Sequence, residues 1–244
     1  MTGVCAVVCA ASEATDAVLT GVRRQTRPVD RVVLIVRGSA AEPRYDVDAT
    51  LVELDRAPAR ALAAGALWAR AHGHDAVWLL AHGAAPEPDA LATLMAGWSL
   101  VQQKAESDYA ASAVLTGDGQ ALSAPHLPFG AVGTPADQVI LASARHALPI
   151  SAATFASLLV AMTTIVAEGP PASRLTGLDA GRDWTAGLGR GGVLLAQSRV
   201  RDQERRGTDW RRDATERLQL ARQAGFGWSD RARLAAALLA RPWR

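Results

Sequence analysis

Short runs that are apolar at every position, each separated from the next by a stretch of helical periodicity, fill the first half of this sequence. Residues 4–11 form one such run and residues 31–36 (RVVLIV) a second. Shorter strand patterns fall at 50–54, 75–80 and 108–115, and helical patterns at 12–26, 58–72 and 88–104. A strand apolar on both faces must be covered on both faces, and the intervening helices supply the cover. The pattern therefore predicts an α/β fold: an open, mostly parallel sheet with helices on both sides. Ligands of such sheets bind at the carboxyl ends of the strands, here residues 10–12, 36–39 and 81–83.

The second half is less regular. A strand is expected at 138–143, a helix at 151–166, a short helix at 183–188 and a strand at 193–196. From residue 199 the pattern turns helical and charged, with helices expected near 210–224 and 229–240 on either side of Gly225-Phe226-Gly227. This divides the chain into a domain over 1–202 and a basic helical appendage over 203–244.

Charge follows the same division. The net charge of +2 over 244 residues is too small to point to nucleic acid. Residues 199–244 hold twelve arginines and six acids, a net +6, which leaves −4 on residues 1–198. A basic tail on an acidic body suits an anionic partner, a partner protein or a membrane surface; the plainer reading is a solvated arginine-rich helix. The start lacks a basic leader and a cleavage region, so no signal peptide is expected. The cysteines, Cys5 and Cys9, share a strand and would lie roughly 13 Å apart, at about 3.3 Å per residue. That exceeds the ~7 Å limit for a disulfide and predicts two core thiols in a reducing compartment. The expected location is cytoplasmic, with peripheral contact at the inner membrane face.

Four segments then carry a resemblance. Gln25-Thr26-Arg27-Pro28-Val29-Asp30-Arg31, continuing as VVLIVRGS, is similar to a helix end, proline turn and second strand found in the family 2 glycosyltransferases. Residues 75–91, with WLLAHGAAPEPDAL, resemble that family's DYVWLLDDDxxPEPDAL segment. Residues 113–122 look like its strand ending in DGxxL, and Asp183-Trp184 with the later GVLLAQSRV like its late helix and strand. The resemblance spans roughly residues 4–202. It implies a GT-A fold, a nucleotide-diphosphate sugar donor, a glycan or lipid-linked acceptor such as a cell-wall polysaccharide, and transfer with inversion by direct displacement.

Departures from the family pattern cluster where its chemistry is done. The nucleoside-binding aspartate corresponds to Val36, the metal-binding aspartates to Ala81, His82 and Gly83, and the catalytic base to Gly181. An arginine common in the late helix corresponds to Gly187. Relatives use Mg or Mn, whose diphosphate-bridging role wants hard oxygen ligands, and a hydroxyl acceptor needs a nearby base. Alanine and glycine supply neither, so no metal cofactor is expected. His82 reads as a donor to a phosphate or hydroxyl, since imidazole suits zinc or copper better than magnesium. Asp183 is the first candidate base and Asp179 the second; the competing reading has Asp183 charging a helix N-terminus. Ser12, Arg37, Arg60, His82 and Gly83 are the candidate donor-binding residues, with Ser12 a helix cap first and a ligand contact second. Trp184 is placed near the cleft, where an aromatic ring could stack on a sugar. The GLGRGG at 187–192 spells GxGxxG, but a helix precedes it and a strand follows, the reverse of a dinucleotide site. Two readings follow: a degenerate glycosyltransferase, weakened or inactive, or a non-catalytic module that docks on a partner enzyme through its basic tail.

Overall fold

The structure, a computed structural model, describes residues 3–10, 14–37, 46–53, 58–81, 83–102, 107–116, 147–172 and 179–202. All lie in the first of the chain's two units, Met1–Arg206. Strands β1 (Val4–Ala10), β2 (Arg31–Arg37), β3 (Ala49–Glu53) and β4 (Ala76–Leu80) pair in parallel, with α1 (Thr15–Arg23) and α2 (Pro58–Ala71) as crossovers. After β5 (Ala84–Pro86), α3 (Ala90–Gln102) and β6 (Tyr109–Thr116) come β7 (Leu148–Ile150), β8 (Leu158–Ala161), α4 (Met162–Glu168), α5 (Asp179–Ala186) and β9 (Gly192–Asp202). One nine-stranded sheet results, in the order β3-β2-β1-β4-β8-β6-β9-β5, with β7 also on β9. Strands β1, β2, β3, β4, β6 and β9 run one way, and β5, β7 and β8 the other.

The alternation along each strand builds two cores. Val4, Ala6 and Val8 face one side with Leu34 and Val36, where α1 brings Val18, Leu19 and Val22 and α3 brings Leu91, Leu94 and Trp98. Cys5, Val7 and Cys9 face the other, under Leu62 and Ala66 of α2 and Trp184 of α5. The predicted helix–sheet–helix sandwich is thus realised.

Some segments differ from the sequence reading. The helix expected over 151–166 is strand β8 followed by the short α4. Leu158 and Val160 enter one core and Leu159 and Ala161 the other, a two-residue alternation that a wholly apolar run conceals. Ala84–Pro86, read as the approach to a helix, is a strand antiparallel to the end of β9. Helix α1 begins at Thr15, with Ala14 as its N-cap and no side-chain capping bond, so Ser12 is not the cap. Helix α5 begins at Asp179, which puts Asp183 in its middle rather than at its N-terminus. The strand expected at 138–143 and the C-terminal helices lie outside the described residues.

A chain of buried side-chain hydrogen bonds crosses the centre of the sheet. Trp78 Nε1 donates to Ser157 Oγ at 2.9 Å, Ser157 Oγ and Ser112 Oγ are 2.7 Å apart, and Ser112 Oγ and Ser198 Oγ are also 2.7 Å apart. Ser198 Oγ then donates to the Ala90 carbonyl at 2.9 Å. It ties β4, β6, β9 and the start of α3 together just where the β6–β9 register shifts, between Ser112 and Ala113.

Both cysteines are buried and free. Burial, with lesser contributions from the Asp48 and Asp30 charges, pushes the Cys5 thiol up to about 12. Since the thiolate is the reactive form, neither cysteine should react with a thiol reagent at pH 8 until the protein unfolds. Counting thiols with and without denaturant checks this; rapid native labelling would contradict the burial.

Candidate functional site

The parallel registers bring the strand ends of the expected crevice side by side. Ala10 sits opposite Val36, and Val8 opposite Leu80. Val36 is itself part of the core rather than the crevice wall. Arg37 ends β2 opposite Glu53 of β3. Arg60 lies exposed in the first turn of α2. Because α2 follows β3, its N-terminal turn stands at the same end of the sheet as the carboxyl ends of the strands.

At the β4 end the chain closes inward. Ala81 is 2% exposed and belongs to the same core as Phe155 and Trp184. Its amide donates to the Phe155 carbonyl at 2.9 Å, and its own carbonyl accepts from Ala84 N–H at 3.4 Å. Gly83, with φ 67°, supplies the left-handed residue of this turn. His82 and Ser12 lie outside the described residues.

Helix α5 packs against the same short segment. Thr185 Oγ1 accepts from the Ala153 amide at 2.8 Å and contacts the Gly181 carbonyl at 2.8 Å. Gly181 lies directly on the backbone: a Cβ placed there would be 2.4 Å from the Phe155 nitrogen and 2.7 Å from the Thr154 carbonyl carbon. Phe155 therefore stands between the two positions where the family resemblance expects acids. Its carbonyl receives the Ala81 amide, and its nitrogen abuts Gly181. Trp184, expected near a sugar, is buried against Phe155 with ring centroids 5.9 Å apart. Asp179 begins α5 and Asp183 lies four residues, about one turn, further along. Asp183 is half-buried and engaged with a partner, whereas its neighbours Arg182, Trp184 and Thr185 are buried.

Two contributors escaped the sequence reading. Arg182 is only 1% exposed, a buried arginine within α5. The only signal in the sequence was its place between a glycine and an Asp-Trp pair. Gln25 is the second. Its Nε2 donates to the carbonyls of Gly21 (2.9 Å) and Glu87 (2.7 Å), and its Oε1 accepts from the Leu91 amide (2.9 Å). Thr26 N–H adds a bond to the Pro88 carbonyl at 2.7 Å. The QTRP and PEPDAL segments, distant in sequence, are thus bolted together.

The described residues of the junction, Ala81 and Gly83, bring no side-chain oxygen to a hard divalent cation. Among the described residues no three His, Cys, Asp or Glu side chains gather into a metal-holding group. The junction offers two backbone carbonyls, of Ala81 and Phe155, and both already accept amide protons.

No protein-family model and no curated protein matches the sequence. Solved structures do match. GalNAc-T7, crystallised with UDP, GalNAc and Mn2+, superposes with a TM-score of 0.62 at 15% identity, covering 83% of this chain and 44% of that one. S. aureus TarS 1-349 gives 0.57 at 8% identity over 98% of this chain and 71% of its own, and S. aureus TarS 0.57 at 9%, covering 98% and 43%. The chain has a GT-A fold. It spans less than half of GalNAc-T7. Among the described residues, no helix is long and apolar enough to cross a membrane.

Proposed function

We propose that this protein is a degenerate GT-A glycosyltransferase that retains a crevice for a nucleotide-diphosphate sugar or glycan but has lost efficient, metal-dependent transfer. The observation that carries this reading is Gly181. The position expected to hold the base has no room for any side chain, because the Thr154–Phe155 backbone occupies the space. The adjoining junction residue, Ala81, is sealed in the same core. Donor binding is assigned to Arg37, Arg60 and Gly83, and, on the family resemblance alone, to Ser12 and His82. A guanidinium can grip a phosphate by a two-pronged hydrogen bond, so Arg37 and Arg60 would replace part of the charge neutralisation a cation gives. Asp183 is the group to take the proton from an acceptor hydroxyl, with Asp179, one turn away along the helix, as the second candidate. Any residual transfer would invert the anomeric carbon by direct displacement.

Calorimetry with a panel of nucleotide-diphosphate sugars, with and without manganese, tests the proposal. The expected result is saturable binding that manganese does not strengthen and that Arg60→Ala weakens. Turnover abolished by a chelator would overturn it. An absence of heat with every donor would favour the alternative, a non-catalytic module docking on a partner transferase or membrane protein through residues 203–244.

A further inference from the structure

At the end of the sheet opposite the carboxyl ends of the strands, where β6 and β9 begin, the chain forms a half-open cavity of about 350 Å³. Its apolar wall is Ile150, Leu188 and Val193, and its polar groups include Ser107 and Arg190. The volume lies at the small end of the range for ligand pockets, about 300 to 1,000 Å³. Two observations mark it as more than a packing gap. First, Ser107 is 6% exposed, yet its Oγ has no hydrogen-bond partner among the described residues. Leaving a buried hydroxyl unsatisfied costs about 1–3 kcal/mol, and such groups call for an explanation. Second, the glycines of the turn are not equivalent. A Cβ on Gly192 would strike the Tyr109 ring at 2.1 Å, and Gly191 has φ 65° with the Ile150 carbonyl 2.9 Å from its would-be Cβ, so the fold demands glycine at both. At Gly189 a Cβ would meet nothing within 4 Å and φ is not positive, so the fold makes no such demand there. Gly189 lines the cavity and has open space where a side chain would stand.

Charge defines the class of ligand. The Arg190 amide is fixed on Asp108 Oδ2 at 2.9 Å, which anchors its backbone, while its exposed side chain pairs with no carboxylate among the described residues. We propose that this cavity is a second binding site, for a small amphipathic carboxylate. Its apolar body lies between Ile150, Leu188 and Val193, its carboxylate meets the Arg190 guanidinium, and a polar atom on the body satisfies Ser107. The site is independent of the donor crevice and of what that crevice binds.

The experiment uses the full chain and 4-phenylbutyrate as probe, with the uncharged 4-phenylbutanol beside it. Calorimetry should show saturable binding of the carboxylate and at least roughly tenfold weaker binding of the alcohol, as expected for a charge-assisted contact. Gly189→Leu should fill the space and abolish binding without lowering the melting temperature. Arg190→Ala should weaken the carboxylate roughly tenfold or more, to the level of the alcohol. Arg60→Ala, at the other end of the sheet, should leave the affinity for 4-phenylbutyrate as it is. No saturable binding, equal affinity for acid and alcohol, or binding that survives Gly189→Leu would each overturn the proposal. Should Gly189→Leu fail to fold, the claim of open space there is itself wrong, and Arg190→Ala still decides the ligand class.

Discussion

Gly181→Asp, the change that would restore a carboxylate at the family's base position, should unfold this protein more readily and give it no activity. Its Cβ would fall 2.4 Å from the Phe155 nitrogen and 2.7–2.8 Å from Thr154 backbone atoms, so neither neighbour can move aside as a flexible side chain would. Overpacking a core costs about 1–3 kcal/mol, more where backbone must shift. A carboxylate placed beside Phe155 and Trp184 adds the penalty of burying a charge without a partner. A loss of about 3 kcal/mol or more is expected, read as a fall in the urea midpoint. Gly181→Ala separates the causes: it keeps the steric term, removes the charge, and should fall between wild type and the aspartate. A Gly181→Asp protein as stable as wild type would mean that α5 is not seated on the 154–155 backbone, and the proposed loss of catalysis would lose its main support.

Gln25→Glu should be the second large effect. The two side chains have nearly the same shape, so packing is preserved and only the polarity of one atom changes. Nε2 now donates to the Gly21 and Glu87 carbonyls. A carboxylate oxygen there would face both carbonyls with no proton to share, while the other oxygen would still accept from the Leu91 amide. With each buried unsatisfied group costing about 1–3 kcal/mol, a loss of roughly 3 kcal/mol is expected at pH 7. Protonation of the glutamate at low pH returns one donor, so the deficit relative to wild type should shrink as pH falls. Paired urea denaturations at pH 7 and pH 4 check both size and direction.

These contacts also show where sequence reading reaches its limit. The parallel half of the sheet was legible because Val4 to Ala10 and Arg31 to Val36 are apolar at every position, which leaves few alternatives to a buried strand. The absence of acids was legible as bare residue identity at Ala81 and Gly181. What the letters could not say is that Gly181 is closed by backbone, because the neighbour responsible lies 26 positions earlier in a segment that reads as helix. Residues 158–161 match a helix core or a strand equally well, and only pairing with β4 and β6 decides between them. Gln25 read as part of a family motif, and its task of holding the α3 start is invisible without the fold. Asp183 read as a helix start, whereas α5 runs through Gly181 and begins at Asp179.

The row of serine hydroxyls has a direction. An indole N–H can only give a proton and a carbonyl can only take one, so Trp78 at one end and Ala90 at the other leave a single arrangement between them. Ser157 must point to Ser112, and Ser112 to Ser198. Such a one-way file cannot flip without every member letting go at once. The seam it crosses behaves as a rivet rather than a hinge, and any breathing of the protein during binding must come from parts lying beyond that seam.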